Sequence, residues 1–293
     1  MNKLATEKRA QILNMLVEGM SMRAVSRITD VAFNTITKLL SDAGEAAAEY
    51  HDEHVRGVRS SRIQCDEIWS FVYAKAKNVP EAKAAPPGAG DNWTWTALDA
   101  DSKLLVSYLL APRNGLSAMY LMDDLRERVE GRFQLTTDGL SAYLEAVEGA
   151  FGPEIDYAML VKLYGKGRGE SDRRYSPAEC IGTRKRVVQG NPDPAKISTS
   201  YVERSNLSMR MGMRRFTRLT NAFSKRVEKH AAMIALYTLH YNYCRIHKTL
   251  RVTPAMEAGL DTKVRDCRWV LGLIDARAPK PNRPATYRKR ISN

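Results

Sequence analysis

Apolar residues recur at two different spacings along this 293-residue chain, and the spacing changes near residue 60. Before that point apolar side chains fall every three or four residues, which is typical of amphipathic helices. After it, short apolar and aromatic runs bounded by turn residues predict strands, with helical segments between the later ones. The pattern therefore predicts an α/β protein that begins with a small all-α segment.

Residues 1–45 are predicted to form a small helical domain. A first helix ends at Gly19, a second is capped by Ser21, and a third begins at Asn34 or Thr35. This order is that of a helix-turn-helix, in which the start of the last helix enters the major groove of DNA. The residues predicted to contact DNA are Asn34, Thr35, Thr37 and Lys38. A plain three-helix packing unit is the alternative.

Residues 46–60 extend this segment with alternating charges, and we expect a helical linker that spaces two domains. His51 and His54 lie one turn apart in it. The composition around them favours a solvated helix face over a metal site.

The stretch RIQCDEIWSFVY, residues 62–73, predicts a buried strand that carries Asp66 and Glu67 in its middle. A carboxylate inside a sheet is costly unless a positive group meets it. That group is either a bound metal ion or a lysine or arginine side chain, and this stretch alone leaves both open.

The segments that follow predict the rest of a mixed sheet flanked by helices. The predicted elements are strands 93–98 and 103–110, helix 116–129, strand 133–137, helix 140–150 and strand 157–163. This order is that of an RNase H-like fold, in which the first and fourth strands are neighbours, and it would bring Asp66 close to Asp138. Because Asp138 is followed by Gly139, an ordinary turn is the alternative explanation for it.

Charge is distributed unevenly around these carboxylates. The chain has a formal net charge of +13, but residues 61–150 hold 9 basic and 13 acidic side chains, and residues 151–293 hold 29 and 12. An acidic centre followed by a basic half predicts a polyanion-binding protein, with nucleic acid as the favoured partner. Within the basic half, residues 165–197 are predicted to be an irregular insertion, and residues 251–293 a basic extension.

A helix after residue 198 places a third carboxylate, Glu203, near the sheet. Ser200 and Glu203 also fit a capping box, and this structural role is the alternative. Basic side chains along this helix and the following loop are predicted to contact DNA. The basic residues are Arg204, Arg210, Arg214, Arg215 and Arg218.

Four scattered cysteines form no CxxC pair, which argues against a zinc site and for a reducing cytosol. The longest apolar run, residues 231–239, is too short to span a bilayer. We therefore expect a cytoplasmic protein with no membrane partner.

Three separated blocks of the sequence resemble the catalytic blocks of IS1-family insertion-sequence transposases. They are CDEIWSFV, TTDGLSAY and SYVERSNLSMRMGMRRFTRLTNAFSK, and the later NYCRIHKTLRVTPAMEAGL resembles a closing segment of such enzymes. The resemblance covers about residues 60–260. Two features depart from the family: the first helices lack its cysteine zinc motif, and 65 residues separate Asp138 from Glu203.

The resemblance implies a DDE transposase whose catalytic domain spans residues 61–250. Asp66, Asp138 and Glu203 would be both the catalytic triad and the ligands of two Mg²⁺ or Mn²⁺ ions. Asn206, three residues after the glutamate, matches a position of the third block and would contact DNA. The substrates would be double-stranded terminal inverted repeats and target DNA, handled by a homo-oligomer associated with the nucleoid of a bacterium. The alternatives are a non-catalytic DNA-binding protein derived from a transposase and an RNase H-type nuclease.

Overall fold

The computed structural model describes residues 4–165, 180–217 and 221–277. The helices of these ranges are α1 Thr6–Val17, α2 Met22–Thr29, α3 Phe33–His54, α4 Gly115–Arg128, α5 Ala142–Phe151, α6 Ser200–Gly212, α7 Val227–Tyr243, α8 Pro254–Glu257 and α9 Cys267–Arg277. The strands are β1 Val58–Arg59, β2 Arg62–Val72, β3 Gly90–Asp99, β4 Leu105–Ala111, β5 Val129–Glu130, β6 Gln134–Thr137, β7 Asp156–Tyr164 and β8 Cys180–Gln189.

Six of these strands form one mixed sheet in the order β4-β3-β2-β6-β7-β8. The pairs β4–β3, β3–β2 and β7–β8 are antiparallel, whereas β2–β6 and β6–β7 are parallel. The predicted meander and the predicted contact between its first strand and the fourth strand are both confirmed. With helices packed on it, this sheet is consistent with an RNase H-like fold.

The prediction of an irregular segment at residues 165–197 is wrong for β8, which pairs along β7. This strand has few apolar residues, and most of its side chains are exposed. Its sequence therefore lacks the alternation of apolar and polar residues that marks a half-buried strand. Hydrogen bonding to the edge of β7 forms this strand, and no local pattern signals it. Residues 166–179 of the predicted insertion lie outside the described residues.

The first helices match the prediction in number and order, but one cap differs. Ser21 caps α2 by accepting from the amide of Ala24 at 3.1 Å, as predicted. The predicted cap of the third helix by Asn34 or Thr35 is wrong, because α3 begins one residue after Ala32 with no side-chain cap.

The predicted linker is not an exposed spacer. Helix α3 runs without a break from Phe33 to His54, so the predicted boundary at residue 45 lies within it. Its small residues pack closely on α7: a Cβ added to Gly44 would lie 2.4 Å from the Cα of Ala232. His51, predicted to be solvated, is buried, and its Nε2 lies 3.1 Å from the carbonyl oxygen of Val106. The alternating charges marked one side of this helix only, and the alanines on the other side join it to the core.

The last described helix, α9, closes the structure by packing on α1 and α3. Its buried residues include Val270 and Leu271, and Asp275 pairs with the buried Arg9 of α1 at 2.8 Å. The predicted basic extension is thus a packed element up to Arg277, and the basic residues after it lie outside the described residues. None of the helices in the described ranges has the length and apolar character needed to cross a bilayer.

Candidate active site

Three carboxylates converge where β2 passes the end of β6. Gln64 of β2 pairs with Thr136 of β6 in parallel register. Asp66 and Asp138 each lie two residues further along, so they are at the same level of the sheet. One oxygen from each of Asp66, Glu67 and Asp138 lies within 4.8 Å of the others. The prediction that Asp66 and Asp138 meet is confirmed, and Glu67 joins them.

Asp66 is held from the α6 side of the sheet by an amide. The Asn206 Nδ2 donates to Asp66 Oδ2 at 2.8 Å, and the Asn206 Oδ1 accepts from the Thr96 hydroxyl at 3.3 Å. Burial raises the pKa of Asp66 to about 6, and the charge of Asp138 adds to this rise, while hydrogen bonds from the Glu67 backbone and from Asn206 oppose it. No lysine or arginine of the described ranges forms an ion pair with Asp66.

Helix α6 is fixed over Asp66 by a buried glutamine on the same face of β2. The Gln64 Oε1 accepts from the backbone amides of Tyr201 and Val202 at 2.9 and 3.0 Å. These amides belong to the first turn of α6, which has no partner for them within the helix. Gln64 therefore positions Asn206, and through it the carboxylate of Asp66.

Glu67 points to the opposite face of β2, as strand geometry requires. Its carboxylate accepts from the Arg113 Nε at 3.0 Å and from the hydroxyl of the buried Tyr143 on α5. Burial raises the pKa of Glu67 to about 7, and the negative charge of Asp138 raises it further, while the bonds from Tyr143 and Arg113 lower it.

Arg113 connects two of the three carboxylates. Besides Glu67 it reaches Asp138, whose Oδ2 lies 3.4 Å from the Arg113 Nη2. The other oxygen of Asp138 accepts from the Leu140 amide at 2.9 Å, so this residue also forms the turn that was its alternative role. Arg113, Tyr143 and the part played by Glu67 were not predicted, because no local pattern in the sequence connects them.

Glu203, the predicted third ligand, lies on α6 one turn before Asn206 and outside the cluster of three. Its carboxylate forms an ion pair with Lys162 of β7 at 2.7 Å and accepts from the Thr199 hydroxyl. It is close enough to Asp66 for its charge to raise the pKa of that residue. The predicted capping box is wrong: Thr199 is the N-cap residue, Ser200 lies inside the first turn, and no side-chain bond caps the helix.

The donor set fits a hard divalent cation. Carboxylate oxygens are the ligands that Mg²⁺ and Mn²⁺ prefer, and the cluster is made only of these. Glu67 and Glu203 have cationic partners within the protein, whereas Asp66 is largely buried with only amide donors around it. A buried carboxylate without a positive partner is costly, so Asp66 favours a bound cation.

The raised pKa values predict how the stability of the metal-free protein depends on pH. Folded Asp66 and Glu67 keep protons that the unfolded chain releases near pH 4, so the free energy of unfolding falls as pH rises from 4 to 7. Each group corresponds to about 3 kcal/mol over this window. Mg²⁺ should oppose the loss, because it binds the deprotonated form.

Thermal unfolding in EDTA and in Mg²⁺, at pH 5 and at pH 8, measures both effects. We expect Mg²⁺ to raise Tm more at pH 8 than at pH 5, and Asp66→Asn to remove most of that difference. An equal Mg²⁺ effect in wild type and Asp66→Asn would contradict a cation bound at Asp66.

The residues predicted to contact DNA lie in several environments. Asn34, Thr35 and Lys38 are exposed at the start of α3, with Thr37 half-buried among them, and Lys38 pairs with Asp42 at 2.7 Å. Arg204 and Arg214 are exposed, Arg210 is half-buried, and Asn206 is buried against Asp66. Arg218 lies outside the described residues.

Arg215 is half-buried, and its side chain turns towards Ser224. Its Nη1 donates to the Ser224 hydroxyl at 2.7 Å, and burial lowers its pKa to about 10. No carboxylate of the described ranges pairs with it. A buried guanidinium without an anionic partner favours binding of an anion next to it.

Arg215 lines a basic cleft of about 930 Å³ between the first helices and the segment after α6. Its described lining includes no acidic side chain. The start of α3 contributes Phe33 and Thr37 to the same cleft. Its basic residues are Arg23, Arg214, Arg215, Lys225, Arg226 and Lys229.

Comparison with solved structures finds transposase complexes. A piggyBac transposase synaptic complex with hairpin DNA aligns over 96% of this chain and 76% of that chain, with 10% identity and a TM-score of 0.38. The Mos1 transposase paired-end complex with left transposon end aligns over 54% and 60%, with 12% identity and a TM-score of 0.24. A Mos1 mariner paired end complex with Mn aligns over 53% and 59%, with 10% identity and a TM-score of 0.22.

This chain thus spans about 60% of the length of the first Mos1 structure. No family model matches the sequence, and no curated protein matches it. The chain is similar in structure to these transposases at low identity.

Proposed function

We propose that this protein is a DNA transposase of the DDE class, of the kind that the three IS1-like sequence blocks resemble. It cleaves DNA strands at the ends of an element and transfers them into target DNA. The observation that carries the proposal is the convergence of Asp66 and Asp138 from adjacent strands, with Asp66 half-buried and without a cationic partner among the described residues. The basic cleft, which has no acidic side chain in its described lining, supports DNA as the substrate.

In this proposal Asp66, Asp138 and Glu203 hold two Mg²⁺ or Mn²⁺ ions. When bound, the metal ions supply activation of the attacking oxygen and stabilisation of the leaving oxygen in phosphoryl transfer. Asn206 orients the Asp66 carboxylate, and Gln64 holds the helix that carries both Asn206 and Glu203. Arg113 forms ion pairs with both Glu67 and Asp138, and its positive charge reduces the repulsion between these two carboxylates.

A non-catalytic DNA-binding protein is the second candidate, because most of the carboxylates already have cationic partners within the protein. Arg113 and Lys162 satisfy three of the four carboxylates here without any metal ion. A protein that binds DNA without cutting it would keep such ion pairs as structural contacts.

A cleavage assay with the full-length chain distinguishes these functions. Duplexes that carry the terminal repeats flanking the gene are incubated with Mg²⁺, with Mn²⁺ and with EDTA. We expect metal-dependent nicking at the repeat end and joining of the new 3′ end to a target plasmid. Binding without nicking in either metal would support the second candidate. Cleavage of an RNA–DNA hybrid but not of duplex DNA would indicate an RNase H-type nuclease.

The basic cleft makes a separate prediction about affinity. Arg23 and Arg226 are exposed in the cleft, and neither forms an ion pair with a described residue. The double change Arg23→Ala with Arg226→Ala should weaken duplex binding for all sequences alike. It should also reduce the salt slope of log K by about 2, since about one phosphate contact is lost for each residue.

Affinity measured by fluorescence anisotropy across a series of salt concentrations tests this. Lys263→Ala is the matched control, because Lys263 is exposed and lies outside the cleft. An unchanged salt slope in the double variant would show that DNA does not occupy the cleft.

A further inference from the structure

We propose that a strip of partly exposed aromatic rings beside the carboxylates binds unpaired bases of a DNA strand by stacking. The strip consists of Trp93, Trp69, Phe71 and Phe223. The last of these also lines the basic cleft, and none of the four belongs to the carboxylate site. It deepens the proposed function and rests on it for the identity of the strand, which would be the DNA strand that reaches Asp66 and Asp138.

The rings form a continuous row on one face of the sheet. Trp69 and Phe71 follow Glu67 at alternate positions of β2 and so share its face. Their ring centroids are 5.8 Å apart, and Phe71 is 4.8 Å from Phe223. Trp93 is the register partner of Trp69 on β3 and extends the row sideways.

Exposure separates this row from the aromatic core beside it. Trp95, the next residue of β3 on the same face, is fully buried and packs edge-on against Tyr143 at 5.6 Å. Each ring of the strip, by contrast, retains part of its surface in contact with solvent. Sheet packing explains Trp95, but it leaves the exposed surface of the strip without a function.

A cation lies over three of the four rings. The Arg113 guanidinium is 5.0 Å from the Trp93 ring centroid, the Lys75 Nζ is 5.7 Å from Trp69, and the Lys225 Nζ is 3.7 Å from Phe223. Lys75 and Lys225 are exposed, so their ammonium groups can turn to a phosphate while a base takes their place on the ring. Aromatic faces with neighbouring cations are the arrangement that binds single-stranded nucleic acid.

One acidic residue lies in the same row and is already engaged. Asp91 is the register partner of Phe71, and its carboxylate accepts from the backbone amide of Ala76 at 3.0 Å. At the other end, Arg113 joins the strip to the candidate active site, since it contacts Glu67 as well as Trp93. A strand lying on the strip would therefore end at the carboxylates.

Binding of a fluorescein-labelled oligothymidylate to the full-length chain, measured in EDTA, tests the strip without requiring catalysis. Alanine at Trp69 or Phe71 should weaken binding about tenfold, within the range for loss of one stacked base. Trp69→Phe keeps a ring and should remain within about twofold of wild type. Trp269→Phe is the control for loss of a tryptophan, because Trp269 packs against Tyr50 and Tyr243 far from the strip.

A second readout reports stacking directly. The fluorescence of 2-aminopurine in an unpaired position should be quenched by wild type and by Trp69→Phe, but much less by Trp69→Ala. Wild-type affinity in Trp69→Ala, or equal losses in Trp69→Ala and Trp69→Phe, would overturn the proposal. If the wild-type protein cleaves DNA with metal but the strip variants bind oligothymidylate normally, only the proposed role of the strip is refuted. If binding depends on the rings but the wild-type protein does not cleave DNA, only the transposase function is refuted.

Discussion

Asp66→Asn and Asp138→Asn are each expected to abolish metal-dependent strand cleavage, with a fall of at least about 10³-fold, while duplex DNA is bound as in wild type. The reason is that these two carboxylates meet at the end of adjacent strands and offer the oxygens that hold a divalent cation. Asparagine preserves their size and one acceptor oxygen, but it removes the negative charge. The measurement is single-turnover cleavage of a labelled element-end duplex, with affinity determined in parallel.

The matched control for these variants is Asp123→Asn. Asp123 is an exposed carboxylate on α4, and it belongs neither to the cluster of three carboxylates nor to the aromatic strip. It should cleave at the wild-type rate. Thermal unfolding in EDTA should show that Asp66→Asn is folded and is more stable than wild type at pH 8, because the uncompensated buried charge is gone. Normal cleavage by both site variants would refute the proposed active site.

Glu203→Gln is expected to reduce cleavage as severely as the aspartate variants, whereas Glu67→Gln should reduce it only about tenfold. Both oxygens of Glu67 are already bonded, one to Arg113 and the other to Tyr143, so this carboxylate acts mainly to position Arg113. Glu203 lies on the Asp66 side of the sheet, with a single flexible lysine as its ionic partner. If a bound metal ion takes the place of Lys162 as the partner of Glu203, this carboxylate becomes a ligand of the site.

The same two variants separate catalysis from structure. Glu67→Gln breaks a buried ion pair and should lower the free energy of unfolding by about 1–3 kcal/mol, whereas Glu203→Gln should change it little. Lys162→Met, which removes the competing cation from Glu203, should leave cleavage intact at high Mg²⁺. The opposite ranking, with Glu67→Gln inactive and Glu203→Gln active, would identify Glu67 rather than Glu203 as the third ligand.

Local patterns were sufficient for most of the sheet. The alternation and aromatic content of β2, β3 and β4, and the short apolar runs of β6 and β7, predicted five of the six strands of the main sheet within a few residues. The exception, β8, is a basic edge strand that buries little, so its formation depends on the backbone of β7. A strand without a buried face carries no hydrophobic period to detect.

The amphipathic part of α3 shows a different limit. Charges between residues 45 and 54 suggested a spacer, but spacing alone does not show whether the alanine side of a helix has a partner. Gly44 and Ala232 are far apart in the chain and touch only because two helices with small residues can approach closely. That contact makes the first helices part of the main body.

Short-range periodicity and turn chemistry predicted the order of the main strands and helices from β2 to β7, the place of Asp66 on a strand and the location of Asp138 after its strand. Which groups surround those carboxylates depends on tertiary contacts instead. Arg113, Tyr143 and Asn206 are 46, 76 and 140 residues away from their partners in the chain. Sheet pairing and helix packing set such distances, and with them the burial that raises the pKa values of Asp66 and Glu67. No local pattern encodes them.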